Sequence, residues 1–264
     1  MRDERPQSLL RLAHSLLDET DAVLARYFAT DLEVIEKVDR TLVTAADREV
    51  EIHLRSRLSD AFPGHGFVGE EYGTEEGRGE ARWIIDPIDA TNNFVRGIPV
   101  FATLLALERA GELVLGVVSA PALGQRWWAV SGEGAHTRAG GRERSISVSR
   151  VGQLGQAQLC YATLRLLEEE GLLAGWLEAL RGSWRDRGFG DFWGHLLVAQ
   201  GSAEAMLEYG VSPWDLAAPA VILAEAGGRM TDFAGQPSWS GPDVLSSNGL
   251  LHDELLGTLR AGGS

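Results

Sequence analysis

Apolar residues recur at helical spacing over the start of the chain. Leu9, Leu12, Ala13, Leu16, Leu17, Val23, Leu24, Tyr27 and Phe28 share one stripe with polar residues between them, which predicts an amphipathic helix over 8–28. A polar loop then leads to a second helix. Thr44 is of N-cap type, Asp47 stands three positions on as in a capping box, and the helix runs through Val50, Ile52, Leu54 and Leu58 to a stop at Phe62-Pro63-Gly64. Residues 66–71 predict a short strand ending in Glu70 and Glu71, and 73–82 a glycine- and charge-rich loop. The strand-like run 83–85 breaks off at Asp86-Pro87-Ile88-Asp89. Apolar runs at 101–108 and 112–119, joined by Arg109-Ala110-Gly111, predict a hairpin, and 126–130 a further strand. Gly132, Gly134, Gly140 and Gly141 mark loops, and Arg142-Glu143-Arg144 reads as a solvated one.

From about 148 the pattern alternates. Helices are expected at 164–180, 192–201, 214–226 and 252–260, with strands at 205–208, 229–232 and 244–246, and a strand followed by a turn over 184–190. Such exchange suggests an α/β layer. A soft boundary at 148 therefore divides an N-terminal α+β domain, 1–148, from a C-terminal α/β domain, 149–264.

Composition narrows the function classes. The 264 residues are 44% hydrophobic and 23% charged, ordinary for a soluble globular chain able to bury a substantial core. A formal net charge of −14 argues against nucleic acid and anionic membranes as partners, and means that an anionic substrate needs a local cation. The single cysteine, Cys160, excludes an intrachain disulfide. With no signal-like N-terminus and no apolar run of membrane-spanning length, a cytosolic protein is expected.

Acids recur at element ends: Asp47, Glu70-Glu71, Asp86 with Asp89, and Asp215. Two close carboxylates repel unless a cation sits between them or one keeps its proton. Carboxylates without histidine partners favour hard cations, Mg²⁺ or Mn²⁺. Metals bound there would make a positive patch fit to receive a phosphate, which points to phosphate-ester chemistry. A helix starting at Ala90 or Thr91 would add free N–H donors for the phosphate. Each station also has a structural explanation. Asp, Pro, Asn and Thr are ordinary turn residues, and Ser212-Pro213-Trp214-Asp215 is a helix start in which capping alone accounts for the acid.

Four blocks in order resemble the inositol monophosphatase family of magnesium-dependent phosphatases. They are Lys37-x-Asp39-x-Thr41-x-Val43-Thr44-x-Ala46-Asp47; Gly69-Glu70-Glu71; residues 83–94 with Asp86-Pro87-Ile88-Asp89-x-Thr91; and Trp214-Asp215-x-Ala217-Ala218 with Glu225-Ala226-Gly227-Gly228. The resemblance implies a five-layer α-β-α-β-α sandwich of the inositol monophosphatase/fructose-bisphosphatase type, and a homodimer. It implies that Glu70, Asp86 and the Ile88 carbonyl hold one Mg²⁺, that Asp86, Asp89 and Asp215 hold another, and that Glu70 helps a weaker third through water. Thr91 with Asp47 would activate the attacking water, while Asp89 and the amides of Ala90 and Thr91 would face the phosphate. One position departs: the family has Gly where this chain has Ala90.

Within the family, residues 93–103 and 187–193 resemble the histidinol-phosphate phosphatases. Asp191, Glu208 and Arg187 are then the substrate-contact candidates, since an acid beside the site would pair with the amine or imidazole of histidinol phosphate. Helix capping by Asp191 and a strand end at Glu208 are the structural alternatives. An inositol 1-phosphate phosphatase, a broad small-molecule phosphatase, or a metal-binding scaffold without turnover are the competing functions. Trp127, Trp128 and Trp193 are expected mostly to pack in the core, and His195 and His252 to be structural or surface residues.

Overall fold

The leucine stripe near the start of the chain forms helix α1 (Pro6–Tyr27), with proline in the first turn, where a missing N–H costs nothing. The structure is a computed structural model and describes residues 5–30, 34–36 and 42–261. Lys37, Asp39 and Thr41 of the first motif block lie outside the described residues. Two units are distinguished: Met1–Ser131 with His136–Arg144, and Gly132–Ala135 with Ser145–Ser264.

In the first unit, β1 (Val34–Glu36) pairs antiparallel with β2 (Leu42–Thr44). Helix α2 (Ala45–Ala61) follows at once, with Thr44 as N-cap and Asp47 closing the expected capping box. Next come β3 (Gly66–Gly69), β4 (Gly73–Glu75), β5 (Ala81–Asp89), the short α3 (Thr91–Val95), β6 (Ala102–Arg109), β7 (Glu112–Ala120), β8 (Gln125–Val130), β9 (Ala135–Ala139) and β10 (Arg142–Ile146). Among the described residues, eight strands form one sheet in the order β10-β9-β8-β7-β6-β5-β3-β4. Leu16, Leu17, Leu54, Leu58, Trp83, Ile85 and Phe101 share its core, so α1 and α2 cover the sheet. Arg126 of β8, 4% exposed, also ties α1 down: its guanidinium bonds Asp21 at 2.6 Å and Asp18 at 2.8 Å.

The second unit contains β11 (Gln158–Tyr161), α4 (Leu164–Glu169), α5 (Leu173–Gly182), β12 (Arg185–Arg187), α6 (Asp191–Ala199), β13 (Ala205–Tyr209), α7 (Pro213–Glu225), β14 (Arg229–Thr231), β15 (Asp243–Ser247) and α8 (His252–Ala261). Its sheet runs β12-β11-β13-β15-β14. β11 is parallel to β12 and β13, whereas β15 is antiparallel to β13 and β14. Among the described residues, no helix is long and apolar enough to cross a membrane.

Several local expectations change. Gly73–Glu75 is an edge strand paired with β3, not loop. Arg142, Glu143 and Arg144 are exposed as expected but stand in a strand at the other sheet edge, where charge discourages pairing with a further strand. The helix expected over 164–180 breaks into α4 and α5 around Gly171, whose φ of +73° no helix interior accepts. Helix α2 forms as expected, yet Ile52 is exposed.

His252 is fully buried and hydrogen-bonded to Thr231 at 2.9 Å and Ser247 at 2.7 Å. Burial, with Arg229 nearby, lowers its pKa to about 4 from the ordinary 6.5. The folded state thus favours neutral imidazole, and this stabilisation is present above pH 6.5 and lost as pH falls toward 4. Urea denaturation of wild type and His252→Gln should show a stability gap that narrows across that window; a gap independent of pH would contradict it.

Candidate active site

Residues three apart in a regular strand point to opposite faces. In β5, Asp86 pairs with Leu104 of β6 and Asp89 with Ala102, so three steps along one strand match two along the other. That is a one-residue bulge, and it restores both acids to one side. Pro87 sits inside it, where a missing N–H breaks no ladder bond, and its carbonyl accepts the Thr103 hydroxyl at 2.8 Å. Carboxylate oxygens of Asp86 and Asp89, both buried, come within 4.8 Å. The strand therefore continues through the acids that the sequence reading placed beyond its end.

The backbone of Glu70 follows directly after β3. β3 and β5 run parallel with Gly69 opposite Ile85, which puts Glu70 beside Asp86, and the Glu70 N–H donates to the Ile85 carbonyl. Sequence reasoning missed the residue that holds this turn. Glu51, fully buried, accepts the N–H groups of Glu71 at 2.8 Å and Tyr72 at 3.3 Å. A Cβ at position 69 would lie 2.1 Å from the Glu51 carboxylate, so any other residue there would displace that carboxylate from the turn. The available signal was an acid one turn beyond Asp47, flanked by Val50 and Leu54.

Asp47 lies fully buried at the start of α2. Its Oδ2 accepts both the N–H and the hydroxyl of Thr44 at 2.7 Å. Burial raises its pKa to about 6, with the charge of Glu71 adding to the effect and the Thr44 bonds opposing it. The Thr91 hydroxyl donates to the Ile88 carbonyl at 2.8 Å and lies 3.5 Å from Asp47 Oδ1. One hydrogen serves one close acceptor, so it points at Ile88, and the Asp47 approach is marginal.

In the second unit, Asp215 occupies the first turn of α7, its carboxylate accepting the Ser212 N–H at 2.7 Å. The expected cap is present. Asp191 is the first residue of α6 and has φ +55°, unusual for a side chain other than glycine. Glu208, 8% exposed on β13, bonds the buried His195 at 3.1 Å. Burial first, and then the charge of Glu208, pushes the Asp191 carboxyl above the usual range; burial does the same to Glu208, against the bond from the Asp191 backbone N–H. Arg187 is exposed on β12, an edge strand, and donates to the Asp186 carbonyl at 2.7 Å. Trp127 and Trp128 are buried as expected, whereas Trp193 is only half-buried and meets Phe189 edge-on.

The model of the inositol monophosphatase family matches residues 5–262. The chain is 48% identical to a histidinol-phosphatase of Streptomyces coelicolor, covering 95% of this chain and 96% of the relative. It is 44% identical to a histidinol-phosphatase of Mycobacterium tuberculosis, covering 96% and 98%. A solved IMPase structure from Thermotoga maritima superposes with a TM-score of 0.85 at 31% identity, covering 96% of this chain and 97% of that one.

The chain belongs to the inositol monophosphatase family. It is a phosphatase, and the mixed α/β fold expected from the resemblance is the fold of its solved relatives. The clustered carboxylates, Asp86 and Asp89 of β5 among them, suit the metal dependence general to the family: carboxylates without histidine or cysteine match a hard divalent cation. Such a cation would also relieve the repulsion between buried Asp86 and Asp89.

The departure at position 90 has a structural consequence. Ala90 takes φ +64° and ψ +45°, the left-handed region where a Cβ costs about 1 kcal/mol. Its carbonyl accepts the N–H groups of Asn93 and Phe94, which locks that conformation at the start of α3. Ala90→Gly should therefore raise unfolding free energy by about 1 kcal/mol in chemical denaturation. A loss instead would show that the methyl's packing outweighs the backbone strain.

Proposed function

We propose that this phosphatase hydrolyses L-histidinol phosphate to L-histidinol and phosphate with Mg²⁺, or Mn²⁺ as a substitute. One observation carries the choice of substrate: Asp191 and Glu208, two acids held close with raised pKa values in one unit. Such a pair gains most from a cation, and the amine or imidazole of histidinol phosphate supplies it, whereas a neutral polyol does not. The histidinol-phosphatase relatives support the same reading.

Glu70, Asp86 and the Ile88 carbonyl would hold one Mg²⁺, Asp86, Asp89 and Asp215 would hold a second, and Glu70 would assist a third. When bound, Mg²⁺ acidifies water and offsets phosphoryl charge. Asp47, with its carboxyl raised to about 6, receives the proton of the attacking water through Thr91, once that hydroxyl turns from Ile88 toward Asp47. The amides of Ala90 and Thr91, with Asp89, orient the phosphate. Asp191 and Glu208 take the cationic end of the substrate, and Arg187 reaches its phosphate from outside. The working form is a cytosolic homodimer, as the family resemblance implies; size-exclusion chromatography tests the assembly.

The alternative is an inositol 1-phosphate or broad small-molecule phosphatase, favoured by the family at large. Phosphate release from histidinol phosphate and inositol 1-phosphate, with and without Mg²⁺, decides. Histidinol phosphate should lead in kcat/KM by about 100-fold, as expected for a buried charge pairing, and only with the metal. Equal rates would remove the substrate assignment. Asp89→Asn should lower kcat by at least about 100-fold, since it removes a metal-holding charge, and unchanged turnover would sink the metal site.

A further inference from the structure

We propose that His195 is a positioning residue that aims Glu208 at the substrate's cation, and so sets the preference for cationic phosphate esters. The inference rests on the reading that Asp191 and Glu208 receive that cation. It goes beyond it by assigning a role to an imidazole outside the proposed mechanism.

Helix α6 buries Phe192, Leu196, Val198 and Ala199 along with His195, which is 1% exposed. A buried imidazole is tolerated only where its nitrogens find partners. Here both do: Nε2 lies 3.1 Å from Glu208 Oε2 on β13, and Nδ1 lies 2.8 Å from the Ser246 hydroxyl on β15. Burial pushes the His195 pKa down to about 4, although Asp191 and Asp215 act in the opposite direction, so the ring is neutral near pH 7. Neutral imidazole has one donor and one acceptor. An ionised Glu208 can only accept, which makes Nε2 the donor and leaves Nδ1 to accept the Ser246 hydrogen. Ser246 thereby fixes the tautomer that serves Glu208.

A second donor closes the arrangement. The backbone N–H of Asp191 also bonds the Glu208 carboxylate. Its φ of +55° sets that backbone at the head of α6. Glu208 is thus held by an N–H from the helix start and by His195 one turn later. The rotamer of Glu208 is determined before substrate arrives, with its charge close to that of Asp191. Losing His195 frees the carboxylate to turn or to keep a proton, and a cation then binds less well.

Steady-state kinetics with Mg²⁺ on histidinol phosphate and on the cation-free ester glycerol 2-phosphate test this in wild type, His195→Leu, His195→Gln and Ser246→Ala. His195→Leu should raise KM for histidinol phosphate about tenfold, as for loss of one charge-assisted hydrogen bond, with a smaller fall in kcat. The ratio of kcat/KM between the two esters should fall with it. Gln, which can donate one N–H, should restore part of the ratio. A folded His195→Leu enzyme with an unchanged ratio, or with equal losses on both esters, would overturn the proposal. Should the leucine variant fail to fold, Ser246→Ala decides: a fall in the ratio of about threefold supports the role, and an unchanged ratio overturns it. A wild-type enzyme without preference for histidinol phosphate would instead defeat the substrate assignment, an outcome distinct from a preference that survives in the variants.

Discussion

Asp86 and Asp89 share one side of β5 only because the strand takes in an extra residue between them. The candidate metal site depends on that bulge. It brings two carboxyl groups together in a buried place, an arrangement that costs free energy unless a cation offsets it or one of them keeps its proton. The surroundings hold the bulge on several sides. Thr103 satisfies the Pro87 carbonyl, the Thr91 hydroxyl satisfies that of Ile88, and Ala90 ends the strand in a left-handed turn. The unfavourable electrostatics are offset by the apolar core of α1, α2 and the sheet beneath.

Capping and chemistry are not rivals here. Asp47 and Asp215 both stand third in their helices and both accept the N–H of their N-cap residue. A carboxylate has two oxygens with several lone pairs, so one can close the helix end while the other faces outward. For Asp47 this division is visible: Oδ2 takes both Thr44 bonds, and Oδ1 faces Thr91. Capping also restricts the side chain, which suits the proton-accepting role proposed for Asp47.

Backbone strain gathers beside the same groups. Among the described non-glycine residues, Ala90 and Asp191 are two of the few with positive φ, one next to Asp89 and the other next to Glu208 in space. Strain of this kind persists where the surrounding bonds over-determine the conformation, and it clusters at functional sites. In the second unit, Asp191, His195, Glu208 and Ser246 form one connected polar group amid apolar packing. Hydrogen bonds of that sort hold Glu208 in a single geometry, which an apolar core cannot do for a carboxylate.

Sequence alone determined the helices and strands with strong periodicity, the capping box at Thr44 and Asp47, the helix start at Ser212, and the family that the acidic stations resemble. These are local properties: a leucine stripe, an N-cap followed by an acid, and a glycine before two glutamates are legible without knowing what lies across the sheet. Tertiary structure decided the rest. The edge strand at Gly73–Glu75 and the short β11 exist because a neighbour supplies their hydrogen bonds, not because of their own pattern. Glu51 and His195 looked unremarkable because their partners lie 20 and 13 positions away in the chain. The bulge, too, shows only in the register of β5 against β6, since side-chain parity is a relation between two strands and no single stretch encodes it.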